Sequence, residues 1–253
     1  MRVLNWSYLL LSLGMLVGCF PRGDPSRPIP TEFVAAPQKA QRLVVVLPGR
    51  GDDVKGLQRS GITQAIQQAW PDADVVLTGL ALGYYMEGQA VPRLHAEVIE
   101  PARKRGYAQV WLVGASLGGM GALLYDQAHP NQVDGLVLLA PYLGEKALLQ
   151  EIAAAGGVAR WQPPPAPRVI DGDNFQPELW RYLQTWSRPP GPRPNVWVAY
   201  GTRDRLRGAL PLIAPLLPPQ KVLEPAGGHD WEVWSPVTRE ILSRVAAAGV
   251  PAR

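Results

Sequence analysis

The stretch Trp111-Leu-Val-Gly-Ala-Ser116-Leu-Gly-Gly-Met120 constrains this chain more than any other, because an apolar run leads without a break into a serine framed by glycines. Gly114-Ala115-Ser116-Leu117-Gly118 has the form G-x-S-x-G. Residues 107–113 are mostly apolar, as in a strand buried within a sheet, and residues 117–125 are small, apolar and free of proline, as in a helix packed on that sheet. A turn joining the two is too tight for side chains at the glycine positions. Three fixed positions recur by chance in about one chain in ten of this length, so the flanking strand and helix carry the weight. With both in place, Ser116 stands exposed at the carboxyl edge of the sheet. There the backbone N–H of Leu117, in the first helical turn, is free to donate to an anion.

The remaining sequence alternates in the same way. Residues 42–47 form a β-branched apolar run that stops at Pro48-Gly49 and opens the loop Pro48-Gly-Arg-Gly-Asp-Asp53. A helix follows over 57–70, a strand over 72–77, a loop over 78–88 carrying Tyr84 and Tyr85, and a helix over 91–105. Beyond the serine come strands over 133–140, 195–200 and 221–225, then a closing helix over 232–248. Buried strands alternating with helices predict a mostly parallel central sheet covered by helices on both faces. At 253 residues, 47% hydrophobic, the chain suits one domain with an insertion better than two domains. The insertion is expected at 143–194, where proline and tryptophan become dense. It reads as lid-like, and its Trp161, Trp180, Tyr182 and Trp186 either shape a cleft or cover the sheet edge.

Composition excludes several functions. The net charge of +4 comes from scattered arginines with no basic run, which argues against a nucleic-acid partner. One cysteine permits neither an internal disulfide framework nor a multi-cysteine zinc site. The three histidines, His95, His129 and His229, share no metal-ligand spacing, so neither a metal nor another cofactor is expected. His95 falls within the helix upstream of the serine strand, and His129 ends the helix after Ser116, so both read as structural. His229 instead follows the last strand in the glycine loop Ala226-Gly-Gly-His229. The turn after the 195–200 strand supplies an acidic residue, Asp204, with Glu145 as the fallback carboxylate. Asp230, next to His229, is expected to point elsewhere.

The N-terminus reads as an address. Met1-Arg2 precedes an apolar run over 3–17 with the positive flank and length of a secretory signal, which places a signal peptide at 1–18. Leu16-Val17-Gly18-Cys19 resembles the bacterial lipobox. That resemblance implies acylation of Cys19, which becomes the first residue of the mature protein, and a membrane partner through the lipid anchor. Phe20 stands where an inner-membrane retention signal has aspartate, which implies the outer membrane where the organism has one. Residues 19–41, rich in proline and small or polar residues, read as a flexible tether, with the main domain over 42–253.

Ser116, Asp204 and His229, in that order and each in a loop after a strand, resemble the α/β-hydrolase superfamily from about Leu43 onward. The resemblance implies a nucleophile, an orienting carboxylate and a base, with an oxyanion hole from the N–H groups of Leu117 and Arg50. Pro48 replaces the histidine of the commoner His-Gly loop and leaves those donors in place. The implied reaction is hydrolysis of a carboxylic ester or related acyl bond of a small or lipid-like substrate. Amide hydrolysis or acyl transfer by the same triad, and a non-catalytic anchored binding protein, are the alternatives.

Overall fold

A computed structural model describes residues 23–167, 174–189, 191 and 195–249. The signal peptide and Cys19 lie outside the described residues. Among the latter, seven strands form one sheet: β1 (Thr31–Val34), β2 (Arg42–Leu47), β3 (Ala73–Thr78), β4 (Gln109–Ala115), β5 (Gly135–Leu139), β6 (Val196–Ala199) and β7 (Val222–Leu223). Their spatial order is β1-β3-β2-β4-β5-β6-β7. Only β1 runs antiparallel to its neighbour.

The unbroken apolar runs follow from burial on both sheet faces. Val44 to Leu47, Val110 to Val113 and Leu136 to Leu139 are all fully buried. Strand order explains that burial. The chain steps from β2 outward to β3, then reverses across β2 to β4, and right-handed crossovers taken in opposite directions leave their helices on opposite faces. The Ile62–Ala69 helix packs against the closing Trp231–Ala247 helix, while the 90–104 helical segment packs against Leu117–Ala128. Trp70 fastens the first pair: its indole N–H donates to the Leu242 carbonyl at 2.9 Å, and its ring meets Trp111 edge-on at 5.1 Å. The reversal opens a crevice between the carboxyl ends of β2 and β4, where ligands bind in such sheets. The α/β-hydrolase fold is therefore the architecture of this chain.

Several elements differ from the sequence reading. The segment read as tether through Gln41 joins the domain from Ile29 onward. Ile29 is buried, β1 pairs with β3, and the Ala36 N–H donates to the buried Asp74 carboxylate at 2.8 Å. Covering the edge of β3 outweighs the polar composition of this segment. The helix expected over 57–70 is two helices, Val54–Arg59 and Ile62–Ala69, parted at Gly61, whose φ of 76° ends the first. The 78–88 loop contains a short helix, Leu82–Met86, which buries Tyr84 so that its hydroxyl donates to the carbonyls of Arg27 and Pro28.

The insertion carries the helices Lys146–Ala154 and Phe175–Thr185, and its aromatics find acceptors within the protein. Trp161 donates to Glu151 at 2.7 Å, Trp180 to the Leu143 carbonyl at 2.6 Å, and Tyr182 to Asp126 at 2.5 Å. Trp161, Trp180 and Trp186 are buried, so they pack the segment down rather than line a cleft. The anchoring of residues 29–36 has a direct check. Ile29→Ala is expected to cost about 2 to 4 kcal/mol in urea unfolding, whereas a tether residue would cost nothing measurable.

Candidate active site

Ser116 is the turn between β4 and the Leu117–Ala128 helix, with φ 51° and ψ −111°. A non-glycine residue in such a conformation costs on the order of 1 to 3 kcal/mol and persists only where its surroundings over-determine it. Four hydrogen bonds do so. Ser116 N–H donates to Leu139 O at 2.8 Å, and Ser116 O accepts from Gly119 N, Met120 N and Tyr142 N at 3.0, 3.2 and 3.0 Å. The flanking glycines are required by contact. A Cβ on Gly114 would lie 2.2 Å from Gly118 O, and one on Gly118 would lie 2.3 Å from Leu47 O. The helix start is thus pressed backbone to backbone against the ends of β4 and β2.

Ser116 was expected to stand exposed, yet it is only 5% exposed. The β2 loop lies beside it: a Cβ on Gly49 would be 3.7 Å from Ser116 Cβ. Arg50 follows in the same turn, closed by Asp52 N–H donating to Gly49 O at 3.2 Å, and Leu117 is the first residue of the helix. A first-turn N–H has no intrahelical acceptor. The two expected oxyanion donors therefore each adjoin the contact between Gly49 and Ser116, Arg50 in the loop and Leu117 at the helix start.

Asp204 and His229 are joined directly. His229 Nδ1 lies 2.9 and 2.8 Å from the two Asp204 carboxylate oxygens, and the Asp204 side chain is fully buried. A carboxylate there requires the proton on Nδ1, which leaves the Nε2 lone pair free to accept. Nε2 is buried and has no hydrogen-bond partner among the described residues. Leu206 N–H also donates to Asp204 at 2.7 Å, fixing the carboxylate plane.

The loops carrying the pair are laced together by Thr202 N–H to Pro225 O at 2.9 Å and Arg203 N–H to Gly227 O at 2.8 Å. A Cβ on Gly201 would meet Gly228 O at 2.5 Å, so only glycine allows this approach. Trp234 packs edge-on against the His229 ring at 4.7 Å.

The other candidates fall elsewhere. Asp230 caps the closing helix, accepting from Val233 N–H at 3.2 Å, and Glu145 accepts from Tyr142 OH at 2.6 Å. His95 and His129 stack on each other at 4.0 Å, with His95 Nδ1 at 3.0 Å from Tyr125 OH. Among the described residues no cluster of three or more histidine, cysteine or acidic side chains could hold a metal ion.

Sequence reasoning missed the surroundings of Asp52. Its carboxylate accepts from the Trp231 indole N–H at 2.9 Å, and burial raises its pKa above the usual carboxylate range. The available signal was a pair of tryptophans, Trp231 and Trp234, at helical spacing on the closing helix just after His229.

A family model described as "Serine aminopeptidase, S33" matches residues 91–177, about a third of the chain, a span that includes Ser116. No curated protein matches by sequence. Solved structures share the fold. FphF, a fluorophosphonate-binding serine hydrolase of Staphylococcus aureus, is 12% identical over 86% of this chain and 98% of its own, with a TM-score of 0.60. A monoacylglycerol lipase of Paleococcus ferrophilus is 15% identical over 86% and 99%, with a TM-score of 0.57. Est1E of Butyrivibrio proteoclasticus is 14% identical over 87% and 93%, with a TM-score of 0.56.

The glycine contact at the helix start is testable by stability. Gly118→Ala is expected to cost about 2 to 4 kcal/mol in urea unfolding, whereas Gly208→Ala, whose added methyl meets open space, should stay within about 0.5 kcal/mol of wild type.

Proposed function

We propose that this protein is a serine hydrolase that cleaves a carboxylic ester or related acyl bond through an acyl-enzyme on Ser116. The observation that carries this reading is the His229 imidazole, tied at Nδ1 to Asp204 while its buried Nε2 has no partner among the described residues. Such a ring is set to accept a proton at the sheet edge that also carries a strained serine.

The steps follow from these groups. Ser116 Oγ attacks the acyl carbon and passes its proton to His229 Nε2. The bond to the leaving oxygen then breaks, and that oxygen takes the proton from the imidazolium. Water repeats the sequence in reverse roles, releasing the carboxylic acid and restoring the serine. Asp204 holds the tautomer and stabilises the transient cation without itself being protonated. The N–H groups of Leu117 and Arg50 receive the developing oxyanion, and each such donor typically contributes about 2.7 to 4 kcal/mol.

An arylesterase and a monoacylglycerol lipase among the structural neighbours support ester chemistry, while the aminopeptidase description of the family model keeps amide substrates as the second reading. A fluorophosphonate probe is expected to label the wild type, to leave Ser116→Ala unlabelled and to label His229→Ala far more slowly. Asp204→Asn is expected to lower kcat by about 10⁴-fold. A folded wild type that resists the probe would overturn the hydrolase reading in favour of a binding protein. Chromogenic esters of graded acyl length, run beside aminoacyl amides, distinguish the substrates.

We also propose that the chain is anchored through acylated Cys19. Residues 1–19 support this by their order of charge at Arg2, apolar run and lipobox-like end. Among the described residues no helix is long and apolar enough to cross a membrane. Each buried methylene of an acyl chain contributes about 0.8 kcal/mol to membrane binding. In bacterial cells fed an alkyne-tagged palmitate, the wild type is expected to incorporate the tag and sediment with membranes. Incorporation undiminished by Cys19→Ser would contradict the anchor.

A further inference from the structure

One carboxylate at this edge of the sheet takes no part in the chemistry above. Asp52 and Asp53 adjoin in sequence but serve different ends. Asp53 caps the Val54–Arg59 helix, accepting from Gly56 N–H at 2.7 Å. Asp52 turns back toward the serine. Its Oδ2 accepts from the Trp231 indole at 2.9 Å, across 179 positions of sequence, and the Gly49 backbone N–H donates to the same carboxylate. A Cβ on Gly49 would lie 3.2 Å from Asp52 Oδ2 and 3.7 Å from Ser116 Cβ, so the carboxylate and the serine both lie close to Gly49. On its far side, Trp231 meets Trp234 edge-on at 5.2 Å, and Trp234 meets His229 edge-on at 4.7 Å.

We infer that Asp52 is a positioning residue for acyl transfer: bridging the Gly49 backbone and the Trp231 indole, its carboxylate fixes the Arg50 N–H and the His229 loop relative to Ser116. The inference rests on the hydrolase reading and deepens it. Loop freedom creates the need. Gly49 and Gly51 flank Arg50, and Gly51 has φ 97°, so the backbone on either side of this donor has wide conformational choice and a contact from outside the turn helps select one conformation. An oxyanion donor acts only if it is in place before charge develops.

A carboxylate can accept from both donors at once, whereas an asparagine offers one acceptor oxygen and an NH₂ that faces a donor. Burial works against the charge and raises the Asp52 pKa, while the Trp231 and Gly49 hydrogen bonds oppose that rise. The anion also interacts favourably with a protonated His229, adding to Asp204 during serine attack.

The test measures single-turnover phosphonylation by a fluorophosphonate probe, together with kcat and KM on a chromogenic ester, in the full chain. Asp52→Asn is expected to slow phosphonylation and lower kcat about ten- to a hundredfold, with KM within about twofold. Trp231→Phe should lose less. The double variant should be no slower than Asp52→Asn alone, because both changes remove one interaction. Asp53→Asn, which keeps a helix cap, should react at the wild-type rate, and thermal unfolding should show all four variants folded.

Wild-type rates in Asp52→Asn, losses that multiply in the double variant, or an effect confined to KM would each overturn the inference while leaving the hydrolase reading intact. A wild type that never labels would remove both.

Discussion

The structure turns on a backbone contact rather than a side-chain one. The Leu117–Ala128 helix begins so close to the sheet that Gly118 Cα faces the Leu47 carbonyl and Gly114 faces the Gly118 carbonyl, with no room for a methyl at either place. Because the helix start is fixed there, Ser116 is forced to φ 51°. The resulting strain is offset by the hydrogen bonds to Leu139, Gly119, Met120 and Tyr142. The same contact brings the β2 loop alongside, so Gly49 closes over the serine. The placing of the proposed nucleophile, of the N–H groups proposed to receive the oxyanion, and the burial of Ser116 are thus consequences of one approach distance.

The opposite wall is built on equally close backbone packing. Gly201 lets the β6 loop run against the loop bearing His229, and two interloop hydrogen bonds hold the pair in register. Asp204 and His229 then meet at hydrogen-bond distance without depending on flexible chain. Trp231 and Trp234 join this wall to the β2 loop, one through Asp52 and the other through the imidazole face. In the insertion, Trp161, Trp180 and Trp186 are buried in the core.

How much of this was legible in the sequence depends on whether the determinant is local. Fully buried strands announce themselves as apolar runs, so β2, β4 and β5 were readable, as was the serine turn with its glycines. Asp204 and His229 were readable as positions, since each follows a strand end. The edge strand β1 was not. Thr31 and Glu32 lie on an edge with one side open to solvent, and the segment's place is decided by pairing with β3 and by Asp74, far along the chain. Asp52 was hidden for the same reason, its partner Trp231 being 179 residues away. The roles of Trp161, Trp180 and Tyr182 depended on acceptors at Glu151, Leu143 and Asp126, which composition cannot supply. Burial of Ser116 likewise came from a neighbouring loop and not from its own turn.

The central claim is that these groups converge on one acyl carbon, and a crystal structure of the protein after reaction with a phosphonate tests it most directly. The expected result is a bond from Ser116 Oγ to phosphorus, with a non-bridging oxygen about 2.7 to 3.1 Å from the N–H groups of Leu117 and Arg50 and His229 Nε2 turned toward the serine oxygen. Phosphorus on another residue, or an oxygen facing solvent away from both N–H groups, would contradict it.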